Sequence, residues 1–337
     1  MIISSSSSSA LLTRGSVRRG AEADKLPPAA QRDQPGKTPP APERQGPASQ
    51  LLVALALGAV YLIWSGTYLA LRFVVQALPT MLTVGLRFVI AGSVLCLVLR
   101  LRGQPWPRAR QLAASVPAGV LLFVVGNGFV ALAEREVSSG AAALVCATMP
   151  LCAAGLNFLA GRRPHGREWL GLLLGFAGVA VLCLGKDLQA APQAMMMLLL
   201  APIGWALGST WARRLPLPPG LMGAATQMLM GGVVAAGVAL LRGERLPAQW
   251  PLLAVGSLGY LIVFGSLIAF SAYTYLLSHT RSAVAMSYAY VNPGLAVVLG
   301  ALLGGEPLHR EVIGASALIV AGVFLMALPR RSARAAV

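Results

Sequence analysis

The chain has 337 residues, of which 56% are hydrophobic and only 11% are charged, against roughly 25% charged residues in an ordinary soluble domain. This composition excludes a soluble globular protein and predicts an all-α membrane protein. The formal net charge of +16 is compatible with nucleic-acid binding only if the basic residues form one surface, and here they are spread among the connections between apolar runs.

The first fifty residues contain a run of six serines and are otherwise rich in Pro, Gln, Arg and Ala. They hold too few large apolar residues to offset the entropy of ordering, so we expect residues 1–50 to form a disordered cytoplasmic tail. The apolar run that follows is long and is not followed by a small-x-small cleavage site. It is therefore predicted to be a membrane span and not a signal peptide.

Ten apolar runs follow the tail, and each is near the roughly 20 helical residues that cross a bilayer. The predicted spans are 51–71, 80–99, 111–133, 138–160, 169–184, 194–211, 221–241, 252–277, 282–303 and 312–328. A short basic tail, 329–337, ends the chain. The sequence thus predicts ten transmembrane helices.

Lysine and arginine are distributed unevenly between the two sides of this arrangement. With the N-terminus in the cytoplasm, twenty of the 27 lie on the cytoplasmic side and six on the opposite side. The remaining one, Arg87, lies inside a span. This bias follows the positive-inside rule and predicts that both termini are cytoplasmic. The basic excess is a topology signal, so we expect the lipid bilayer, and no nucleic acid, as a partner.

The two halves of the chain resemble each other. The matched pairs include Ser139 with Ser282, Pro150 with Pro293 and Gly161 with Gly304 at a shift of 143 residues, Gly92 with Gly232 at a shift of 140, and Trp64 with Trp205 at a shift of 141. Each half contains five spans, an odd number, so the second copy must cross the membrane in the opposite orientation. The sequence predicts two inverted five-helix repeats, 51–184 and 185–328.

Inverted repeats can exchange conformations and expose one central site to either side of the membrane in turn, which is the basis of alternating-access transport. Pro150 and Pro293 lie in mid-membrane at matching places in the two halves. Interrupted helices at corresponding positions are typical of a binding site, so we expect both prolines to kink helices that flank a cavity. The alternative is that they only bend helices around their neighbours.

Several side chains are candidates for substrate binding. Tyr288 and Asn292 are four residues apart and share one face of the ninth span. Trp64 and Trp205 lie deep in the membrane at matching places in the repeat, where an aromatic face suits an amphipathic molecule or a cation. Each of these residues has an alternative role in helix packing.

Arg87 is the only ionisable side chain well inside a span, at a cost of roughly 2.5–3.5 kcal/mol on insertion scales. We predict that it binds substrate or locks helices together. The alternative is that it extends to the nearer membrane surface. Gln227 occupies the matching place in the second half, without a charge.

Asn127 and Glu134 are seven residues apart on one stripe of the third span, with Glu134 nearer its outer mouth. Glu134 is the best carboxylate for binding a cationic group or a proton. The alternative interpretation is an exposed loop acid beside Arg135 and Glu136.

The sequence offers little for catalysis or for a cofactor. The four cysteines fall within predicted spans and form no CxxC pair, so no metal is expected. The three histidines lie in loops or at span ends, and no HExxH motif is present. We expect a protein that is not an enzyme and that needs no cofactor.

Longer segments carry a family resemblance. The segments WSGTYLALRFVVQALPTMLTVGLRFVIAG from Trp64, NGFVALAE from Asn127 and SAVAMSYAYVNPGLAVVLGALLGGEPL from Ser282, with the five-plus-five layout, resemble the EamA-domain family of the drug/metabolite transporter superfamily, and within it the YedA-like inner-membrane exporters. The resemblance implies a bacterial inner-membrane protein that exports small metabolites, amino acids or drug-like compounds. A channel, or a membrane interaction or assembly protein without carrier activity, is the alternative function, and a homodimer stays open.

Overall fold

In a computed structural model of the protein, residues 47–159, 161, 166–184, 191–280, 282–285 and 287–327 are described. These residues form helices joined by short connections, and no strand occurs among them. The predicted N-terminal tail lies outside the described residues up to residue 46, and the predicted basic tail, 329–337, lies outside them entirely. The first helix starts at Pro47, inside the predicted tail.

Ten helical rods follow one another along the described chain, in the order of the ten predicted spans. In the first half, α1 is Pro47–Ala77, α2 is Thr80–Leu101, α3 combines Ala109–Gly119, Val120–Gly128 and Phe129–Ala133, α4 combines Ser139–Cys146 and Met149–Leu159, and α5 is Gly166–Cys183. In the second half, α6 is Pro192–Ala212, α7 is Gly220–Leu241, α8 combines Leu252–Tyr260, Leu261–Ile268 and Ala269–His279, α9 combines Ser282–Ala285 and Tyr288–Gly304, and α10 is Arg310–Ala327.

Most of these rods have the length and composition of membrane spans. Seven stretches among the described residues qualify, namely Gln50–Ala77, Thr80–Leu101, Ala109–Ala133, Ser139–Leu156, Pro192–Ala212, Gly220–Leu241 and Leu252–Leu276. Trp169–Cys183 and Val291–Gly304 are shorter apolar helices. Large apolar side chains such as Leu62, which is 64% exposed, face outward as lipid-facing residues do.

The helix contacts of one half are repeated in the other. Helix α1 packs against α8 and α9, and its counterpart α6 packs against α3 and α4. Helix α2 packs against its own counterpart α7, and α5 packs against α10. Exchanging the first five helices with the last five therefore leaves this set of contacts unchanged.

Small residues bring α2 and α7 close together. A Cβ built on Gly232 would lie 2.6 Å from the backbone nitrogen of Val89, and one built on Gly92 would lie 2.6 Å from that of Leu229. Gly92 and Gly232 are partners in the repeat. Glycine permits this approach, and close backbone packing is a main source of helix association in lipid.

Two rods contain a wider turn at matching depths. The middle of α3, Val120–Gly128, and the middle of α8, Leu261–Ile268, are π-helical. π-Helical turns are uncommon and occur frequently at functional sites, because they displace side chains and free backbone groups. The repeat thus places one irregular segment in each half of the structure.

The two predicted kink prolines have different surroundings. A turn at Ala147 and Thr148 interrupts α4 immediately before Pro150, which is the second residue of the next helical segment. Pro293 lies inside the segment Tyr288–Gly304, and the interruption of α9 comes earlier, before Tyr288. The two prolines match in sequence, but the interruptions of α4 and α9 lie at different positions relative to them.

The α2–α7 contact leads to a stability prediction. Gly232→Ala should lower the free energy of unfolding by about 1–3 kcal/mol, because the new methyl group meets backbone atoms that cannot move aside. Gly237→Ala on the same helix is the control, since nothing lies within 4 Å of its Cβ position. Thermal unfolding of the purified variants in detergent measures both, and equal melting temperatures would contradict the proposed packing.

Candidate functional site

Both halves of the chain contribute to one central cavity of about 120 Å³. A single buried water needs roughly 10–15 Å³ of such cavity volume, so the cavity has room for several waters or a small solute. Its lining residues are Trp64, Thr67, Tyr68, Leu71, Arg87, Gly126, Asn127, Val130, Cys146, Met149, Ala201, Pro202, Trp205, Phe270, Tyr288 and Asn292.

Six of the seven residues predicted to bind substrate line this cavity. They are Trp64, Arg87, Asn127, Trp205, Tyr288 and Asn292. The seventh, Glu134, is not among the lining residues. The fold thus brings together side chains from α1, α2, α3, α6 and α9 that are far apart in the sequence, and their role in binding stays a prediction.

The two repeat-related tryptophans lie against the two π-helical segments. The indole Nε1 of Trp64 donates a hydrogen bond to the carbonyl oxygen of Gly265 at 3.1 Å. The ring of Trp205 covers Gly126, where a Cβ would lie 2.9 Å from a ring carbon. Trp64 also packs edge-on against Tyr288 with ring centroids 4.8 Å apart. Aromatic faces from both halves therefore form walls of the cavity.

Side chains satisfy backbone carbonyls within both π-helical segments in the same way. The Asn127 side-chain amide donates to the carbonyl oxygen of Leu122 at 3.0 Å. The Ser266 hydroxyl donates to the carbonyl oxygen of Leu261 at 3.0 Å. In each case the donor lies five residues after the acceptor, where the wider turn places it. Lipid cannot satisfy such carbonyls, so these bonds stabilise the irregular segments.

Arg87 is buried, with 5% of its surface exposed, and the alternative in which it extends to the membrane surface is wrong. Its Nε donates to the Ser266 hydroxyl at 3.0 Å, and its guanidinium carbon lies 4.6 Å from the centroid of the Phe88 ring. Among the described residues, no carboxylate lies within ion-pairing distance of it. The matching Gln227 bonds the Gly223 carbonyl of its own helix and does not line the cavity.

Asn292 supplies a free acceptor. It is buried at 7% exposure, and its side-chain oxygen has no hydrogen-bond partner among the described residues. A buried amide without a partner is costly, and such groups are commonly completed by water or by a ligand. Tyr288 lies one helical turn earlier, on the same cavity wall.

Glu134 is fully buried, so its interpretation as an exposed loop acid is wrong. Its neighbours Arg135 and Glu136 are exposed, so the loop interpretation holds for these two residues and fails only for Glu134. Both carboxyl oxygens of Glu134 lack a hydrogen-bond partner among the described residues. Glu134 follows the last residue of the α3 span, and burial raises the pKa of its carboxyl well above the usual range. The charge of Glu306 also raises this pKa, whereas Arg72 lowers it.

An ion pair joins α1 to the connection between α9 and α10. Arg72 Nη1 lies 3.1 Å from Glu306 Oε1 and also donates to the Val137 carbonyl oxygen at 3.0 Å. The Glu306 carboxylate also accepts from the backbone nitrogens of Ser139 and Gly140, at 2.9 Å and 3.2 Å, at the start of α4. We call this arrangement the latch. It ties α1, α4 and the α9–α10 connection together at one end of the bundle.

The sequence analysis did not single out the latch or the cavity residues Tyr68 and Cys146. In the sequence, Arg72 and Glu306 both come shortly after predicted spans, where charged residues are ordinary, and no local pattern shows that they meet. The internal repeat did contain one sequence signal that Glu306 is unusual. The match of Gly304 with Gly161 places an acidic residue, Glu306, opposite a basic one, Arg163.

The cavity combines one cation, one free amide acceptor and aromatic walls. These groups suit a small amphipathic solute that carries a carboxylate or another acceptor beside apolar surface. No group of three or more His, Cys, Asp or Glu that could hold a metal ion occurs among the described residues. The cavity is therefore a candidate small-molecule site inside a helical membrane protein.

The apolar helices and their central cavity are those of an integral membrane protein, and comparison with known proteins specifies which kind. The sequence model of the EamA-like transporter family matches residues 51–184 and again residues 192–328. The chain belongs to this family.

Relatives carry transporter names as well. The chain is 42% identical over 274 residues to the "Uncharacterized inner membrane transporter YedA" of Escherichia coli strain K12, covering 81% of this chain and 90% of that protein. It is 24% identical to the "Uncharacterized transporter YoaV" of Bacillus subtilis, covering 81% and 96%. A crystal structure at 23% identity shares the fold with a TM-score of 0.55, covering 81% of this chain and 96% of that one.

The latch predicts a stability difference between two glutamates. Glu306→Ala should lower the free energy of unfolding by about 2 kcal/mol, because it leaves Arg72 and two backbone N–H groups without their charged acceptor. Glu311→Ala is the control, since Glu311 is exposed at the start of α10. Denaturation of both variants in detergent measures the difference, and a control as destabilised as Glu306→Ala would refute the assignment.

Proposed function

We propose that the protein is a secondary transporter that exports a small amphipathic metabolite, such as an amino acid or a drug-like compound, by alternating access of two inverted repeats. The observation that carries this proposal is one cavity walled by repeat-related residues of both halves, Trp64 from α1 and Trp205 from α6. A site shared by two halves changes its exposure when the halves move relative to each other.

Three observations support the inverted repeats. Exchanging the halves preserves the main helix contacts, since α1 packs against α8 and α9 as α6 packs against α3 and α4. The π-helical segments of α3 and α8 occur at matching places and are satisfied by the same kind of side-chain bond. The family model matches the chain twice, once in each half. Five helices in each half require opposite orientations.

The substrate chemistry follows from the groups that face the cavity. Arg87 lies in the cavity wall without a carboxylate partner in the described part of the chain, so a substrate carboxylate is its natural counter-ion. The free oxygen of Asn292 accepts from an ammonium or hydroxyl group. Trp64 and Tyr288 offer ring faces for the apolar portion or for a cation.

Transport by purified protein in liposomes tests this function. Liposomes preloaded with one unlabelled amino acid at a time, from a panel of apolar, aromatic and hydroxyl-bearing amino acids, should take up the same radiolabelled compound from outside. The rate of counterflow must saturate as the external substrate concentration rises, because each transport cycle moves only the solute bound at the carrier's single site. Conductance without saturation, or no flux for the amino acids and for organic cations such as tetraphenylphosphonium, would contradict a carrier.

Variants of the cavity residues locate the site. Tyr288→Ala and Asn292→Ala should each reduce counterflow at least tenfold while membrane expression stays unchanged, because they remove a cavity wall and its free acceptor. Arg87→Gln should reduce the flux of carboxylate substrates by a similar factor. Gln227→Ala is the matched control, since this repeat-related residue faces its own helix. Unchanged saturable flux in the first three variants would remove the proposed site.

A further inference from the structure

Glu134 lies beside the latch, because Arg72 of the latch donates a hydrogen bond to the carbonyl oxygen of Val137, three residues after Glu134. Its charge interacts with Glu306 and Arg72 of the latch and with Arg87 of the cavity wall. Tyr68 and Cys146, which also line the cavity, are affected by the same charge. Within the described part of the chain, these five are the charged and titratable groups that interact with Glu134. A change in the ionisation of Glu134 therefore alters the electrostatic potential at both the latch and the cavity.

The described structure fits a neutral Glu134. Its side chain is fully buried, and neither carboxyl oxygen has a hydrogen-bond partner among the described residues. An ionised carboxylate is not retained in such surroundings, because burial without a partner strongly disfavours the charged form. Arg72, the nearest source of compensation in the latch, is already bonded to Glu306 and to a backbone carbonyl. The carboxyl therefore holds a proton while the latch is closed.

We propose that Glu134 is a proton-binding site that controls the latch, so that binding a proton closes the latch and losing it opens the latch. This inference rests on the proposed function for its role in transport, but not for its test. The only bond that forms or breaks is the O–H bond of the carboxyl group. The proton comes from water on one side of the membrane and returns to water on the other.

Electrostatic competition explains the effect. When Glu134 loses its proton, a second carboxylate stands beside Glu306 and Arg72 in a region of low dielectric, and Arg87 of the cavity wall compensates its charge less than Arg72 does. Two like charges in one site repel each other, and their separation relieves that repulsion. Glu306 lies in the α9–α10 connection, so separation of the two carboxylates moves this connection away from α1 and α4. The closed latch binds the proton more tightly than the open one, so its population falls as pH rises.

The repeat indicates that only one end of the bundle works in this way. The sequence matches Arg72 with Arg213 and Glu306 with Arg163, so the positions that pair at the latch are both cationic in the other copy. Arg163 lies outside the described residues, and its match with Glu306 is a match of sequence. Two cations form no ion pair. Glu134 itself is matched by Tyr273 at the shift that also pairs Asn127 with Ser266.

With a cytoplasmic N-terminus, as the basic residues predict, the latch lies at the outer end of the bundle. A proton taken up from outside then closes the outer end. Release of that proton to the cytoplasmic side reopens it. Protons then move inward as solute leaves, which is the direction that an inwardly directed proton gradient drives.

The experiment measures the latch distance directly, without any substrate. Spin labels are placed at Gln76→Cys and Leu308→Cys, two exposed positions on either side of the latch, in a protein whose four native cysteines are replaced by alanine. Pulsed electron resonance then gives the distance distribution across a pH series in lipid nanodiscs. We expect one short distance at low pH and a growing population of longer distances as pH rises.

The variants assign this titration to its group. Glu134→Gln and Glu134→Met, two neutral replacements, should keep the short distance at every pH, and Glu306→Gln should give the long distances at every pH. Glu136→Gln and His309→Gln, which change neighbouring titratable groups, should titrate like the parent protein. A parent distance that does not change with pH, or a Glu134 variant that still titrates like the parent, would overturn the proposal.

The two proposals fail separately. Loss of the titration in the presence of saturable counterflow would remove the proton site and leave the transporter. A normal titration without flux of any tested solute would remove the transport function and leave the pH-controlled latch.

Discussion

Lipid offers no hydrogen bonds to the backbone, and this constraint explains where the irregular helical segments of the molecule lie. Most of the described chain is regular helix, which satisfies its own backbone. The exceptions are the π-helical segments of α3 and α8 and the interruptions of α4 and α9, and each of these four helices contributes to the cavity. Asn127 and Ser266 satisfy carbonyls of the π-helical segments from within. Irregular backbone in the membrane thus coincides with the cavity, where polar groups and space occur together.

The sequence predicted the ten rods because apolar runs and their charged connections are local signals, and a single pattern of spacing identifies each one. Its internal similarity also related Trp64 to Trp205 before their common cavity was visible. The latch could not be predicted, because Arg72 and Glu306 are separated by most of the chain and each looks like an ordinary residue at a helix end. The burial of Glu134 could not be predicted either, since the exposed Arg135 and Glu136 beside it made a loop the simpler interpretation.

The two halves share a fold but not their charges. Arg87 in the cavity has the neutral Gln227 as its counterpart, and the acid of the latch has a basic counterpart, Arg163. In the proposed alternating-access cycle, identical halves would favour inward-open and outward-open states equally. Charges that differ between the halves would give the two states different electrostatic energies, so a solute or a proton that interacts with these charges would shift the balance between them.

The account depends most on the opposite orientation of the two halves. Trp106 follows α2 and Leu246 follows α7, at matching positions of the repeat, and both are exposed. Single cysteines at these two positions, in a protein without the native cysteines, can be labelled in whole cells or spheroplasts with a maleimide that does not cross membranes. Inverted halves predict that the reagent reaches Leu246→Cys from outside, whereas Trp106→Cys reacts only after the membrane is opened. Labelling of both positions from the same side would contradict the account.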